Sequence, residues 1–132
     1  MKLRTQKNLV TAIQGEAFAY VKYMLFAEIA RKNGHTELAD LFEKTAHVER
    51  FEHLAEEAAL VGLVGSDAAN LGNAIKGEMD EVDRMYREFA EQDIADGDQA
   101  AAKRFTEVRG DEMGHRDAYK AALIKLNQSS GR

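Results

Sequence analysis

The residues of this sequence that could perform chemistry are glutamates and histidines at helical spacing. Glu112 and His115 form a Glu-x-x-His motif. Residues three apart lie on the same face of a helix, so this carboxylate and this imidazole can reach one metal ion. The motif arises often by chance, and its meaning therefore depends on what the other helices place beside it.

Each of four amphipathic stripes in the sequence is interrupted by one glutamate. These residues are Glu16, Glu49, Glu78 and Glu112, and their neighbours at helical spacing are mostly apolar. A buried carboxylate destabilises a fold by several kcal/mol unless it is paired or bound to a metal. Four such groups at similar depth, one in each helix, are most simply explained by a bound cation.

The two halves of the sequence resemble each other. The pairs that share an offset of 63 residues are Gly34 and Gly97, Phe42 and Phe105, and Glu49 and Glu112. Gly15-Glu16 also matches Gly77-Glu78, and residues 26–28 match 89–91, one residue later. This repeat predicts two helical hairpins related by an approximate two-fold axis, with equivalent ligands around one point.

One residue of the second helix departs from the repeat. The repeat places a histidine at position 52, but the sequence has Glu52 there and His53 next to it. Either Glu52 replaces the imidazole as a ligand, or an extra residue forms a π-helical turn that returns His53 to the core. Such turns are frequent at functional sites. We take His53 as the predicted ligand and Glu52 as the alternative.

The combined pattern is typical of carboxylate-bridged metal pairs. One Glu from each of two helices, with a Glu and a His from each of the other two, is the ligand set of di-iron and di-manganese bundles. The predicted ligands are Glu16, Glu49, His53, Glu78 or Glu81, Glu112 and His115. Of these, Glu49 and Glu112 are the candidates for bridging both metals. Such carboxylate-rich sites suit iron or manganese better than zinc or copper.

The elements that must position these ligands are predicted to be four long helices. Proline is absent, and good helix formers are abundant. The predicted helices run from about 5 to 33, 36 to 62, 66 to 95 and 98 to 126, with Gly34 and Ser66 as caps. We expect one all-α domain over residues 1–132, an antiparallel four-helix bundle of two hairpins with a crossover, and a frayed tail at 127–132.

Composition restricts the class of function and the compartment. The formal net charge of −5 and the lack of a long basic run disfavour nucleic acids and anionic membranes as partners. The sequence has no cysteine and no apolar run of membrane-spanning length, and its first residues do not resemble a signal peptide. We expect a cytoplasmic protein.

At these residues the sequence resembles the rubrerythrin family of ferritin-like di-iron carboxylate proteins, over about residues 5–126. The resemblance is carried by Gly15-Glu16-Ala17, the segment 45–50, the run GLVGSDAANL at 62–71, the segments 77–81 and 85–90, and 112–115. It implies metal ligands at Glu16, Glu49, Glu78, Glu81, Glu112 and His115. It also implies that Tyr23 and Tyr86 lie beside the metals, as tentative catalytic residues.

The resemblance further implies a peroxidase-type oxidoreductase that reduces hydrogen peroxide to water and protects against oxidative stress. The four-cysteine iron centre of full-length rubrerythrins cannot form from a sequence without cysteine, so an external electron donor such as a rubredoxin-like protein is expected. The family often forms homodimers, in some cases by exchanging helices, for which residues 61–70 are the candidate segment. The alternative function is a ferroxidase that uses dioxygen and handles iron. A third hypothesis is a helical interaction module without catalysis.

Overall fold

The computed structural model describes residues 1–130, and the chain divides into two compact units, one within residues 1–64 and one from residue 65 onward. Each unit is a helical hairpin. The first hairpin consists of α1 (Leu3–Lys32) and α2, and the second consists of α3 and α4 (Gln99–Ser130). Over the described residues the chain thus has four helices and no strand, which confirms the predicted all-α class.

Two of the four helices contain a π-helical turn. Helix α2 consists of Thr36–Val48, the π-turn Glu49–Leu54, and Ala55–Val61. Helix α3 consists of Asp67–Asp80, the π-turn Glu81–Met85, and Tyr86–Asp96. The turn in α2 is the one that the sequence offered as an explanation for the misplaced histidine. The turn in α3 was not predicted.

Glycines end helices α1, α2 and α3. Gly34, Gly62 and Gly97 have φ values of 77°, 64° and 85°, a region that residues with a Cβ rarely adopt. After Gly34, the His35 N–H donates to the Ala30 carbonyl at 2.9 Å, which satisfies a carbonyl of the last helical turn. These glycines explain why the predicted helix ends fall within a few residues of the observed ones.

The first hairpin is antiparallel and packs through small residues. Ala27 and Ala30 of α1 and Ala39 of α2 are buried against one another, and Phe42 packs on this cluster. Tyr23, in the second half of α1, stacks on Phe42 near the start of α2, with 6.1 Å between ring centroids. Alanines at the contact let the two helix backbones approach closely, so the longer side chains lie on either side.

The second hairpin repeats this packing. Tyr86, Phe89 and Phe105 form the same trio as Tyr23, Phe26 and Phe42, at the predicted offset of 63 residues. The Phe89 and Phe105 centroids are 5.5 Å apart, and those of Phe26 and Phe42 are 5.4 Å apart. The internal repeat found in the sequence is therefore a repeat of structure within each hairpin.

The last helix is longer than the sequence predicted. Helix α4 continues to Ser130 instead of ending near Leu126, and Ser129 Oγ donates to the Lys125 carbonyl at 3.1 Å. No glycine or proline occurs between 127 and 130 to end the helix. The remainder of the predicted frayed tail, residues 131 and 132, lies outside the described residues. None of the described helices combines the length and the apolar character needed to cross a membrane.

Candidate metal centre

The first hairpin brings together three of the predicted ligands, which we call half-site 1: Glu16, Glu49 and His53. His53 Nδ1 lies 3.6 Å from Glu16 Oε2 and 3.5 Å from Glu49 Oε2. One ligand atom from each residue lies within 4.8 Å of the others. The two carboxylates are largely buried, whereas the imidazole is half exposed. Half-site 1 therefore contains a preformed set of three donors that is open to an incoming ion.

The π-turn in α2 is what puts His53 in half-site 1. A π-turn accommodates one extra residue, so the fourth residue after Glu49 takes the place that the third has in a regular helix. Glu52, the alternative ligand, is exposed and is not among the grouped ligand atoms of the described residues. Of the two alternatives, the structure thus has the π-turn. That His53 binds a metal stays a proposal.

The second hairpin assembles the corresponding set, half-site 2: Glu78, Glu81, Glu112 and His115. His115 Nδ1 lies 3.2 Å from Glu112 Oε2 and 3.7 Å from Glu78 Oε1. These three residues form the second group whose ligand atoms lie within 4.8 Å of one another. Glu81 joins them because its carboxyl group interacts directly with that of Glu112. Half-site 2 therefore has one carboxylate more than half-site 1.

The carboxyl groups of half-site 2 repel one another in the absence of a cation. The pKa of Glu78 is raised to about 7, first by a hydrogen bond with Glu112 and then by burial. The pKa of Glu81 is raised by burial and by the charge of Glu112, while the pKa of Glu112 is lowered by its hydrogen bond with Glu78. A shared proton between Glu78 and Glu112 is what relieves the repulsion here, and a metal ion would do so more completely.

The surroundings of His115 and Glu78 show the same excess of negative charge. The pKa of His115 is raised, first by its hydrogen bond with Glu112. Glu78 Oε2 is buried and has no hydrogen-bond partner when Glu78 and Glu112 are both ionised. A proton on either carboxyl group allows a hydrogen bond between them. A buried, orphaned carboxylate oxygen beside two further carboxylates and an imidazole fits a divalent cation. The donor chemistry, oxygen-rich with one imidazole, suits iron or manganese.

The two predicted tyrosines lie in the aromatic trios, one helical turn or more from the ligands. Tyr23 packs on Phe26 and Phe42. Tyr86 packs on Phe89 and Phe105, and burial raises its pKa, with further contributions from Glu81 and Glu112. Tyr86 is therefore close enough to half-site 2 to sense its charge. A catalytic role for either tyrosine remains a prediction.

Two features of the site escaped the sequence analysis. The π-turn of α3 was signalled by the repeat, because the offset changes from 62 residues at Glu16 and Glu78 to 63 at Phe26 and Phe89. Glu57 has the spacing of a solvated residue, but its Oε2 is buried without a hydrogen-bond partner, one turn beyond His53. Nothing in its spacing separates it from the exposed Glu56 beside it.

The family model described as Rubrerythrin matches residues 7–55 and 48–123. A rubrerythrin of Porphyromonas gingivalis is 32% identical over 139 residues, which cover 96% of this chain and 70% of the relative. A nigerythrin of Nitratidesulfovibrio vulgaris is 35% identical, with coverage of 93% of this chain and 67% of the relative.

Among solved structures, one described as the fully reduced, all-ferrous state of nigerythrin is similar to this chain. The sequence identity is 33%, the match covers 93% of this chain and 67% of the nigerythrin chain, and the TM-score is 0.49.

Proposed function

This chain belongs to the rubrerythrin family of ferritin-like di-iron proteins, and we propose that it is a non-haem di-iron oxidoreductase that reduces hydrogen peroxide to water in the cytoplasm. Members of the family use peroxide or dioxygen together with redox partners. The observation that carries the proposal is the pair of half-sites, each with at least two carboxylates and one imidazole within 4.8 Å.

The proposed ligands come from both hairpins, three from the first and four from the second. Glu16, Glu49 and His53 would hold one iron ion, and half-site 2 would hold the other, with manganese as a possible substitute. Carboxylates outnumber imidazoles in both half-sites, and oxygen ligands bind both Fe(II) and Fe(III). In the metal-free protein the pKa of Glu78 is raised by its hydrogen bond with Glu112 and by burial, and that of Glu81 by burial, with charge repulsion adding to both. A cation would remove the repulsion.

The reaction consumes two electrons and two protons for each hydrogen peroxide and gives two molecules of water. A pair of ferrous ions held by the two half-sites would supply both electrons and Lewis acidity. The protein side chains supply the geometry and the protons. Tyr86 is the proposed proton donor, since burial and the carboxylates of half-site 2 together raise its pKa and keep its hydroxyl protonated.

Electrons must return to the site from outside the 132 residues, because the sequence contains no cysteine for a second iron centre. A rubredoxin-like carrier is the proposed donor. We also propose a homodimer, formed by exchange of helices around residues 61–70. Its support is the exposure of large apolar side chains on α1 and near this segment: Phe18 is 68% exposed, Leu60 63% and Val64 74%.

A rapid-mixing experiment separates the two oxidants. Protein loaded with Fe(II) under nitrogen should be oxidised by hydrogen peroxide at least about ten-fold faster than by dioxygen at equal concentration, a difference of about 1.4 kcal/mol in activation free energy. The absorbance of the oxidised iron reports the rate. Faster reaction with dioxygen, followed by release or storage of Fe(III), would instead support the ferroxidase. No reaction with either oxidant would contradict both.

A further inference from the structure

The second π-turn is held by a side chain from the opposite helix. Arg109 of α4 donates from Nε to the Val82 carbonyl at 2.6 Å. Val82 is only 1% exposed, so water cannot take the place of this donor. The bond joins residues 27 positions apart in the sequence and connects α4 to α3.

The geometry of a π-turn explains why this carbonyl needs a donor. The Tyr86 N–H donates to the Glu81 carbonyl, five residues back. When a helix returns from five-residue to four-residue hydrogen bonding, one carbonyl is passed over. After a bond from Tyr86 to Glu81, the carbonyl passed over is that of Val82. A buried carbonyl without a donor is destabilising, so a π-turn at this position requires a partner from elsewhere in the fold.

The first hairpin provides an internal control for this requirement. The residue that matches Arg109 at the offset of 63 is Ala46, which is fully buried. Helix α1, which packs on Ala46's helix, is α-helical throughout and has no carbonyl to satisfy. The π-turn of α2 includes the exposed residues Arg50, Phe51 and Glu52, where water can reach the backbone. An arginine therefore occurs where the facing helix has a π-turn with the buried residue Val82, and an alanine where the facing helix is regular.

The second π-turn begins at a residue of half-site 2. Glu81 is the first residue of the turn and interacts with Glu112. The matching position of α1, at the offset of 62 residues, is Ala19. We propose that Arg109 is a positioning residue that holds the π-turn of α3 in place and thereby keeps Glu81 in half-site 2. The part of this inference that concerns Glu81 rests on the proposed metal site, and the part that concerns the turn does not.

The test combines point variants with a deletion. Arg109→Ala removes the donor, Arg109→Gln keeps an N–H at the position of Nε without the charge, and Arg104→Ala on the same helix is the matched control. Deletion of the exposed Asp83 removes the extra residue of the turn and with it the carbonyl that lacks a backbone donor. The measurements are thermal unfolding of the metal-free protein and titration with cobalt(II) alone, followed by its visible absorption spectrum.

We expect Arg109→Ala to lower the melting temperature and to weaken cobalt binding at one of two sites by on the order of ten-fold, with a changed spectrum for that site. Arg109→Gln should recover most of both losses, and Arg104→Ala should cause neither. In the Asp83 deletion background, Arg109→Ala should no longer lower the melting temperature.

Two results would overturn the inference. One is a loss of stability from Arg109→Ala that is equally large with and without Asp83, which would mean that Arg109 does not act through the turn. The other is cobalt binding in Arg109→Ala that matches the Arg104→Ala control. If the unaltered protein binds no cobalt, the proposed metal site fails, while the unfolding data still decide whether Arg109 holds the turn.

Discussion

The two hairpins carry the same framework and place one extra residue in different helices. In the first hairpin the extra residue lies in α2, between Glu49 and His53, and it changes which residue presents the imidazole. In the second hairpin it lies in α3, in the turn Glu81–Met85, whose first residue is the additional carboxylate Glu81. A one-residue insertion absorbed as a π-turn can thus alter a ligand set while the rest of the hairpin stays in register.

What the hairpins share is the packing between the site and the loop. The aromatic trios and the buried alanines match at one offset, as with Ala27 and Ala90, or Ala39 and Ala102. What differs is the ligand-bearing turn of helix and its surroundings: the π-turn of α2 includes four exposed residues, 50–53, whereas the π-turn of α3 accepts a hydrogen bond from Arg109. The framework therefore limits where a ligand lies, and the π-turns influence which residue occupies that place.

The largest expected effect is the loss of metal on removal of a central carboxylate from either hairpin. Glu49→Ala and Glu112→Ala should each leave at most one metal ion per chain, because each residue is the carboxylate nearest the imidazole of its half-site. Glu56→Ala, an exposed residue on the helix of Glu49, is the matched control. Elemental analysis after loading with Fe(II) gives the count. Two ions retained in either variant would show that the assigned ligand is wrong.

The next effect concerns deletions, which should be tolerated only inside a π-turn. Deletion of Glu52 makes α2 regular and creates a Glu-x-x-His motif like that of Glu112 and His115, so the protein should stay folded and keep two metals. Deletion of Glu56, in regular helix, rotates the buried Ala58 out of the core and should lower the free energy of unfolding by about 2–3 kcal/mol. Urea unfolding of both proteins measures this difference. If the two deletions destabilise the protein equally, the π-turn is not the cause of the shift in register.

A smaller effect is expected at the one carboxylate that the hairpins do not share. Glu81→Ala makes half-site 2 resemble half-site 1, where Ala19 occupies the matching position. Both metals should still bind, but the affinity of one should fall by on the order of ten-fold. Calorimetric titration with manganese(II) tests this, with Glu88→Ala on the same helix as the control. An unchanged affinity would remove Glu81 from the ligand set.

The smallest effect is a pH dependence that belongs to the second hairpin. Glu78 has a pKa of 4.5 when unfolded and about 7 when folded without metal. A carboxyl group with a raised pKa favours the folded state below pH 4.5, and this contribution is lost as the pH rises toward 7. In the metal-free protein, Glu78→Gln should therefore flatten the fall in stability between these pH values. Metal should bind more tightly as the pH rises over the same range, since it competes with the proton.

The sequence predicted the helices and the framework well because their signals are local. Gly34, Gly62 and Gly97 end helices by backbone geometry alone, and the apolar stripes determine which faces pack. The π-turn of α2 was predictable because a histidine is a rare residue whose displacement by one position is visible. These features depend on residues close together along the chain.

What the sequence did not predict depends on contacts between helices. Arg109 looks like a surface residue of α4 until the carbonyl that it meets, that of Val82, is known. The π-turn of α3 is visible in the sequence only as a change in the repeat offset between Glu78 and Phe89. No ligand is displaced there. Glu57 has the spacing of a solvated residue, and the burial of its Oε2 follows from packing.

The most direct test of the proposed metal centre is the number of metal ions that the purified chain holds. Protein prepared without chelator and loaded anaerobically with Fe(II) should contain two iron ions per chain by elemental analysis, one for each half-site. Fewer than one ion per chain would contradict the metal centre and leave the two hairpins as an interaction module with solvated glutamates.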